Sequence, residues 1–279
     1  MNNQNHKDIK SKTEDKLNEE TENKTVNNKQ GIIKLDKKEI KNILAIVSGK
    51  GGVGKSFISA IIAIELRKLG NKVGILDADI TGPSIAKMFG LNKKPTVDEK
   101  GILPVITKTG IQIISINLIL DKPEQATIWR GPIINNVIRQ LYSDVNWGNL
   151  DFLIVDLPPG TSDAPLTVYQ SLPLDGVIVV TTPQKLALMI VAKSINMAKA
   201  MNIPILGLIE NMSYIKCSDC GKKTDIFGKL KNDSILKEIG ISLIGTLELD
   251  PKISELSDAG QIEEYSNPII SKLVKKLSI

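Results

Sequence analysis

Eight residues carry the clearest chemistry: Gly49-Lys50-Gly51-Gly52-Val53-Gly54-Lys55-Ser56. A glycine-rich turn of this spacing lets backbone N–H groups point inward around phosphate oxygens, and a helix opening at its end adds a partial positive charge. Lys55 is expected to contact the β- and γ-phosphates of ATP, and the Ser56 hydroxyl to bind Mg²⁺. Gly49 through Ser56, with Phe57 following, form the candidate nucleotide site. Lys50 is not needed to cradle phosphate in its own chain, so its charge is available for another task. Three carboxylates follow at strand ends. Asp156 closes the apolar run Phe152–Val155 and is expected to reach Mg²⁺ through water. Asp79 is expected to position or polarise the attacking water, with Asp77 supporting the metal. Gly160 could present a backbone N–H near the γ-phosphate.

Cys217 and Cys220 form a second chemical feature. Two thiolates at this spacing reach one iron or zinc, whereas a tetrahedral zinc or a [4Fe–4S] cluster generally takes four protein ligands. The chain has two cysteines and one histidine, His6, which lies far away in a polar segment. A two-fold homodimer would bring four thiolates to its axis. By spacing alone a cluster, a bridging zinc and a redox or structural thiol pair all stand open.

These residues need a scaffold, and the hydropathy pattern supplies one. Short apolar strands are predicted at Ile43–Ser48, Lys72–Asp77, Ile111–Asn117, Phe152–Asp156, Val177–Thr181, Ile205–Glu210 and Leu243–Thr246. Helices are predicted at Lys55–Leu69 (stopped by Gly70), Pro132–Tyr142, Pro165–Leu172, Leu186–Met201 and Ser234–Ile239. Continuously apolar strands alternating with helices indicate an α/β P-loop fold, a mostly parallel twisted sheet covered on both faces. A C-terminal amphipathic helix with Ile269, Ile270, Leu273, Val274 and Leu277 is expected to dock on the domain rather than on a membrane.

Residues 1–30 hold only Met1, Ile9, Leu17 and Val26 as apolar members. Such a segment cannot bury enough surface to order itself, so residues 1–40 read as a disordered polar tail and residues 41–279 as the ATPase domain. Ten lysines and eight acids in residues 1–42 account for +2 of the net charge of +5, leaving a diffuse +3 elsewhere. With three arginines in the chain, the balance does not point to nucleic acid. No apolar stretch is long enough to span a bilayer, so no stable membrane insertion is expected. The acid-rich start lacks the apolar core of a signal peptide, and a cytoplasmic location follows as the expectation.

The segments LDADITGPS (76–84), WRGP (129–132), WGNLDFLIVDLPPGTSD (147–163), TTPQ (181–184) and ENMS (210–213) resemble the Mrp/ApbC family of iron–sulfur cluster carrier ATPases. The resemblance spans roughly residues 40–255. It implies an ATP-hydrolysing homodimer that holds a [4Fe–4S] cluster between subunits, meets cluster-assembly scaffolds and passes the cluster to apo iron–sulfur proteins. It further implies that Lys50 is the signature lysine of the deviant Walker A class, reaching the partner subunit's nucleotide like an arginine finger. Asn211 would read the adenine base, and Trp129, Arg130 and Gly131 would lie near the dimer and cluster region. The chain departs from the family where the usual Cys-Pro-x-Cys becomes Cys217-Ser218-Asp219-Cys220. It departs again where Phe227-Gly228 is followed by Lys-Leu-Lys-Asn. Two rival readings are a MinD/ParA-like positioning ATPase, favoured by the basic C-terminal helix, and a zinc-holding metal chaperone, favoured by the half-ribbon look of the cysteine pair.

Overall fold

A computed structural model describes residues 34–80, 82–120, 131–161, 163–227, 236 and 240–277. The expected tail at 1–30, Trp129, Arg130 and all of the predicted helix at Ser234–Ile239 except Leu236 lie outside these residues. Leu236 is helical and buried.

β1 (Ile40–Ser48) is the organising strand. From Ile43 onward every residue is buried, because both faces of the sheet are covered. Leu44 and Ile46 point into one core and Ile43, Ala45 and Val47 into the other, the two-residue period of a strand read across two layers. β1 runs parallel to β7 (Leu150–Asp156) on one side and to β8 (Gly176–Thr181) on the other. β7 pairs in parallel with β2 (Val73–Asp77), and β2 with β6 (Gln112–Ser115). β5 (Val105–Ile106) closes that edge in antiparallel fashion. On the far side β8 pairs with β9 (Ile205–Lys216), which carries β11 (Leu243–Glu248) in parallel and β10 (Lys223–Asp225) antiparallel. A separate hairpin joins β3 (Thr96–Asp98) to β4 (Gly101–Leu103).

The order β10-β9-β8-β1-β7-β2-β6-β5 places the carboxyl ends of β1, β2, β7, β8 and β9 along one rim. Ligands bind at this rim in open α/β sheets. The register makes it specific: Asp77 lies opposite Asp156, and Ser48 opposite Val180.

α1 (Lys55–Lys68) starts where the glycine loop ends and is buried on nearly all sides. It stops at Leu69 and at Gly70, whose φ of 90° suits a glycine. α2 (Ile85–Met88) and α3 (Ile116–Ile119) are single turns beside β2 and β6. α4 (Gly131–Ser143), α5 (Asp163–Ser171) and α6 (Lys185–Ala200) cover one face. α1 covers the other together with α7 (Pro251–Asp258) and α8 (Pro268–Leu277). Residues 34–38 also join the body of the domain. The Leu35 N–H donates to the Ser171 carbonyl, and the Tyr142 hydroxyl to the Asp36 carbonyl.

Most predicted elements are present within a few residues, and the differences have causes. The strand expected to reach Asn117 ends at Ser115, where the chain turns into α3. The strand expected to end at Glu210 continues to Lys216, because β10 and β11 supply partners beyond the end of β8. The C-terminal helix docks as expected: Ile270, Leu273 and Val274 are buried in the core it shares with α1 and β11. Its start is capped by Asn267 Oδ1, which accepts from the N–H groups of Ile269 and Ile270.

The buried carboxylate of Glu65 on α1 pins this helix. It accepts from the hydroxyls of Ser266 and Ser271 and from Lys68. Glu65→Ala removes the hydrogen bonds that the half-buried Ser271 and the exposed Ser266 donate to a buried, charged carboxylate. It is expected to lower unfolding free energy by about 1–3 kcal/mol in a urea titration. A change near zero would show that the pin contributes nothing.

Candidate nucleotide and metal site

The glycine loop takes the shape its residues permit. Gly52 and Gly54 have φ of 76° and 80°, a region that side chains rarely adopt. Gly54 also has no room for a side chain. A Cβ there would sit 2.3 Å from Asn211 Nδ2. Gly49 is also tightly packed, since its Cβ would lie 2.9 Å from the Val191 backbone nitrogen on α6. The loop is therefore clamped between β9 and α6.

Inside the loop the charged groups converge. The Lys55 ammonium lies 2.8 Å from Asp156 Oδ2 and 3.7 Å from Asp79 Oδ2, with only 6% of its side chain exposed. The Ser56 hydroxyl donates to Asp156 Oδ2 at 2.6 Å, and the Ser59 hydroxyl to Asp156 Oδ1 at 2.6 Å. Asp77 is fully buried. It accepts from the Ser115 hydroxyl at 3.0 Å and from the Asp79 N–H at 3.2 Å. Burial and then the neighbouring Asp156 charge push its carboxyl up to about 8, partly offset by Lys55. Ser56 and Asp156 thus stand in contact where a hard cation needs oxygen ligands, and their donor set fits Mg²⁺. Asp79 serves here as a counter-ion to Lys55, with its other oxygen accepting the Gly82 N–H at 3.2 Å.

The remaining predicted residues fall around this centre. The Asn211 amide donates to the Val53 carbonyl at 3.0 Å, and its buried Oδ1 has no protein partner. An unmet acceptor beside a glycine loop is what a nucleobase amino group would satisfy. Phe57 turns its ring into the core, 5.5 Å from and edge-on to Tyr265, so its side chain does not line the loop. The Gly160 N–H is bonded to the Ser48 carbonyl at 2.8 Å, and must leave it to meet a phosphate. Lys50 is held by its own chain: its ammonium donates to Gln184 Oε1 at 2.5 Å.

Cys217 and Cys220 are exposed at the tip of the β9–β10 hairpin. The Cys217 N–H donates to the Lys222 carbonyl, and the Gly221 N–H to the Cys217 carbonyl, so the turn is closed on itself. Backbone N–H groups of Cys220 and then Asp219, with the Cys220 thiol, hold the Cys217 thiol below its usual range. A lowered thiol pKa favours the thiolate form that binds metal. The pair sits on a strand-to-strand turn, not at the helix N-terminus a thioredoxin-like site would need. Among the described residues, no three or more His, Cys, Asp and Glu side chains gather as a metal site in one chain.

Sequence reasoning missed Ser59, Ser115 and Gln184. Ser59 lies one helical turn after Ser56, and that spacing on one face was its signal. Ser115 had none, because only the β2–β6 register brings it to Asp77. Gln184 lay within a motif already noted, but its contact with Lys50 crosses from β8 to β1.

Comparison with known proteins agrees with this geometry. The sequence model of the NUBPL iron-transfer P-loop NTPases, of the ParA group, matches residues 39–278. An iron-sulfur cluster carrier protein of Clostridium perfringens is 43% identical over 248 residues, 85% of this chain and 87% of its own. One from Methanocaldococcus jannaschii is 45% identical over 255 residues, 88% of each. Among solved structures, a nucleotide-binding protein of Archaeoglobus fulgidus in complex with ADP is 42% identical, with a TM-score of 0.74 over 83% of this chain and 91% of that one. The cell-division ATPase MinD of Pyrococcus furiosus, 18% identical with a TM-score of 0.60 over 85% of this chain and 99% of that one, shares the fold. The glycine loop, its buried lysine and this breadth of identity together place the chain in the family of NUBPL-type iron-transfer P-loop NTPases, as an ATPase.

Proposed function

We propose that this ATPase carries a [4Fe–4S] cluster between two copies of itself, bound by Cys217 and Cys220 of each, and delivers it to apo iron–sulfur proteins. The observation that carries the reading is the course of β9. One strand holds Asn211 against the glycine loop and, six residues later, presents Cys217 at the exposed hairpin tip. A change in the nucleotide site therefore has a direct mechanical route to the cysteines.

The hairpin also suits a second copy. Ser213, Ile215 and Cys217 alternate onto one face, with Thr224 on β10 and Ile226 just beyond it opposite them. Ile215 and Ile226 are exposed on that face, and the neighbouring Phe227 is exposed too. The other face is engaged: Lys216 pairs with Glu248 at 2.6 Å and Lys223 lies over the Tyr214 ring. A homodimer across the apolar face would bring four thiolates together and exclude water from the cluster.

In this reading Lys55 holds the transferring phosphate and Lys50 reaches the partner's nucleotide. Mg²⁺ is held by Ser56 and Asp156 with Asp77 behind them, supplying charge neutralisation when bound. Asp79, released from Lys55 when phosphate arrives, orients the attacking water. Residues 34–279 carry these activities, because the chain from Lys34 to Ile40, expected to belong to the polar tail, packs on the domain and opens β1, and the protein works in the cytoplasm with cluster-assembly scaffolds as donors. A positioning ATPase is the weaker reading. The apolar side of α8, which would have to meet a membrane, is buried. No helix among the described residues is long and apolar enough to cross one.

Anaerobic reconstitution tests the proposal. About four iron and four sulfide per dimer are expected, and none in the double variant Cys217→Ala/Cys220→Ala. Zinc without sulfide in the dimer would establish the metal-chaperone reading instead. Unchanged iron and sulfide in the double variant would refute the ligand assignment.

A further inference from the structure

Lys50 and Gln184 form a contact that no step described so far uses. The Lys50 ammonium donates to Gln184 Oε1 at 2.5 Å, across 134 residues of sequence. Both side chains are half-buried. Both are also fixed at their backbones. The Lys50 carbonyl accepts from the Ser48 hydroxyl at 3.0 Å, and Gly49 is wedged against Ile190 and Val191 of α6. Gln184 sits at the N-cap position of α6 with its N–H on the Thr182 carbonyl at 2.7 Å, and its side chain makes no cap bond. The amide oxygen is thus directed at the lysine and not at its own helix.

We infer that Gln184 is a positioning residue that latches Lys50 onto its own subunit. This inference rests on the reading that Lys50 acts on the partner's nucleotide. The bond to Gln184 occupies one of the three donors of the ammonium and sets its position on its own subunit, so reaching a phosphate across the interface competes with this contact. A neutral amide suits the purpose. It holds the cation through one charge-assisted hydrogen bond, strong enough to set a resting orientation and weak enough to yield to a triphosphate. A carboxylate at the same place would hold the lysine more tightly. Because Gly49 packs on α6, the latch and the glycine loop move as one body, and the resting position of Lys50 is set before any partner arrives.

The test compares Gln184→Ala with Gln184→Glu in the full-length protein. Steady-state ATP turnover is measured in the presence of Mg²⁺, and ADP affinity is measured separately. The latch predicts opposite signs. Gln184→Ala raises kcat by about threefold to tenfold and Gln184→Glu lowers it by a similar factor, with ADP affinity held within about twofold. A carboxylate is favourable at a helix N-terminus, so Gln184→Glu is expected to fold. Both effects vanish in a Lys50→Ala background. A merely structural role would instead lower turnover in both variants, and persistence of either effect without Lys50 would equally overturn the latch. If Lys50→Ala alone leaves kcat unchanged, the role given to Lys50 fails and the latch with it. If Lys50→Ala is slow but the two Gln184 variants behave alike, only the latch fails.

Discussion

Lys55→Ala is expected to lower ATP turnover by about 10²–10³-fold or more, measured as phosphate release. Removal of one preorganised group from a charge-stabilising site costs about this much. The geometry adds a second consequence. Lys55 is the cation among Asp156, Asp79 and Asp77, and it is nearly inaccessible to water. Without it Asp156 loses the cation 2.8 Å from its Oδ2, and Asp77 loses the charge that partly offsets its burial. Breaking a buried pair by deleting one partner costs about 3–5 kcal/mol. Lys55→Met, which keeps bulk without charge, is expected to lose turnover as fully and to be destabilised as well. For both variants the destabilisation in urea is expected to be larger at pH 8 than at pH 5, because the raised Asp77 carboxyl is neutral at the lower pH. Turnover within tenfold of the parent would exclude Lys55 as the phosphate-binding lysine.

Asp77→Asn is expected to do the opposite to stability. In the fold the Asp77 carboxyl is pushed up to about 8, chiefly by burial and then by Asp156. In the unfolded chain an aspartate titrates near pH 3.9. Between those values the folded chain holds a proton that the unfolded chain has released. Stability therefore falls as pH rises through this window, and the full penalty is present above pH 8. Linkage makes the slope at most about 1.4 kcal/mol per pH unit. Asparagine carries no such proton. The variant is expected to match the parent near pH 4 and to exceed it by up to about 5 kcal/mol at pH 8, read from urea midpoints in the nucleotide-free protein. Its turnover is expected to drop by about 10–100-fold, the usual loss when a group supporting metal ligands is changed. A stability difference that stays constant from pH 5 to pH 8 would show that Asp77 is not the titrating group.

These two residues also show what could be read from the chain. Lys55 was legible because its neighbours are glycines at fixed spacing after an apolar run, and that pattern has few other uses. Asp156 was legible because a carboxylate after four apolar residues must close a buried strand. The strain on Asp77 was not legible. It arises because β2 and β7 pair in a register that sets Asp77 opposite Asp156, and nothing local in either strand fixes that register. Asn211 was identified by resemblance, but its bond to the Val53 carbonyl and its unmet Oδ1 belong to the approach of β9 to the loop. Phe57 followed the motif by position, yet its ring packs into the core because α1 is surrounded by apolar neighbours.

Local chemistry was legible in the chain alone: a phosphate-binding loop opening a helix, strand-terminal aspartates, and a thiol pair with two residues between its members. The layering was legible too, since hydrophobic period is a local property that survives any arrangement of the elements. Which groups face each other was set by the folded packing: Lys55 on Asp156, Lys50 on Gln184, Ser115 on Asp77, and the cysteines at the end of the strand that touches the glycine loop. Those pairings join residues tens to more than a hundred positions apart. Their cause is strand order and register, which are set by the packing of the whole sheet between its helices and not by any segment alone.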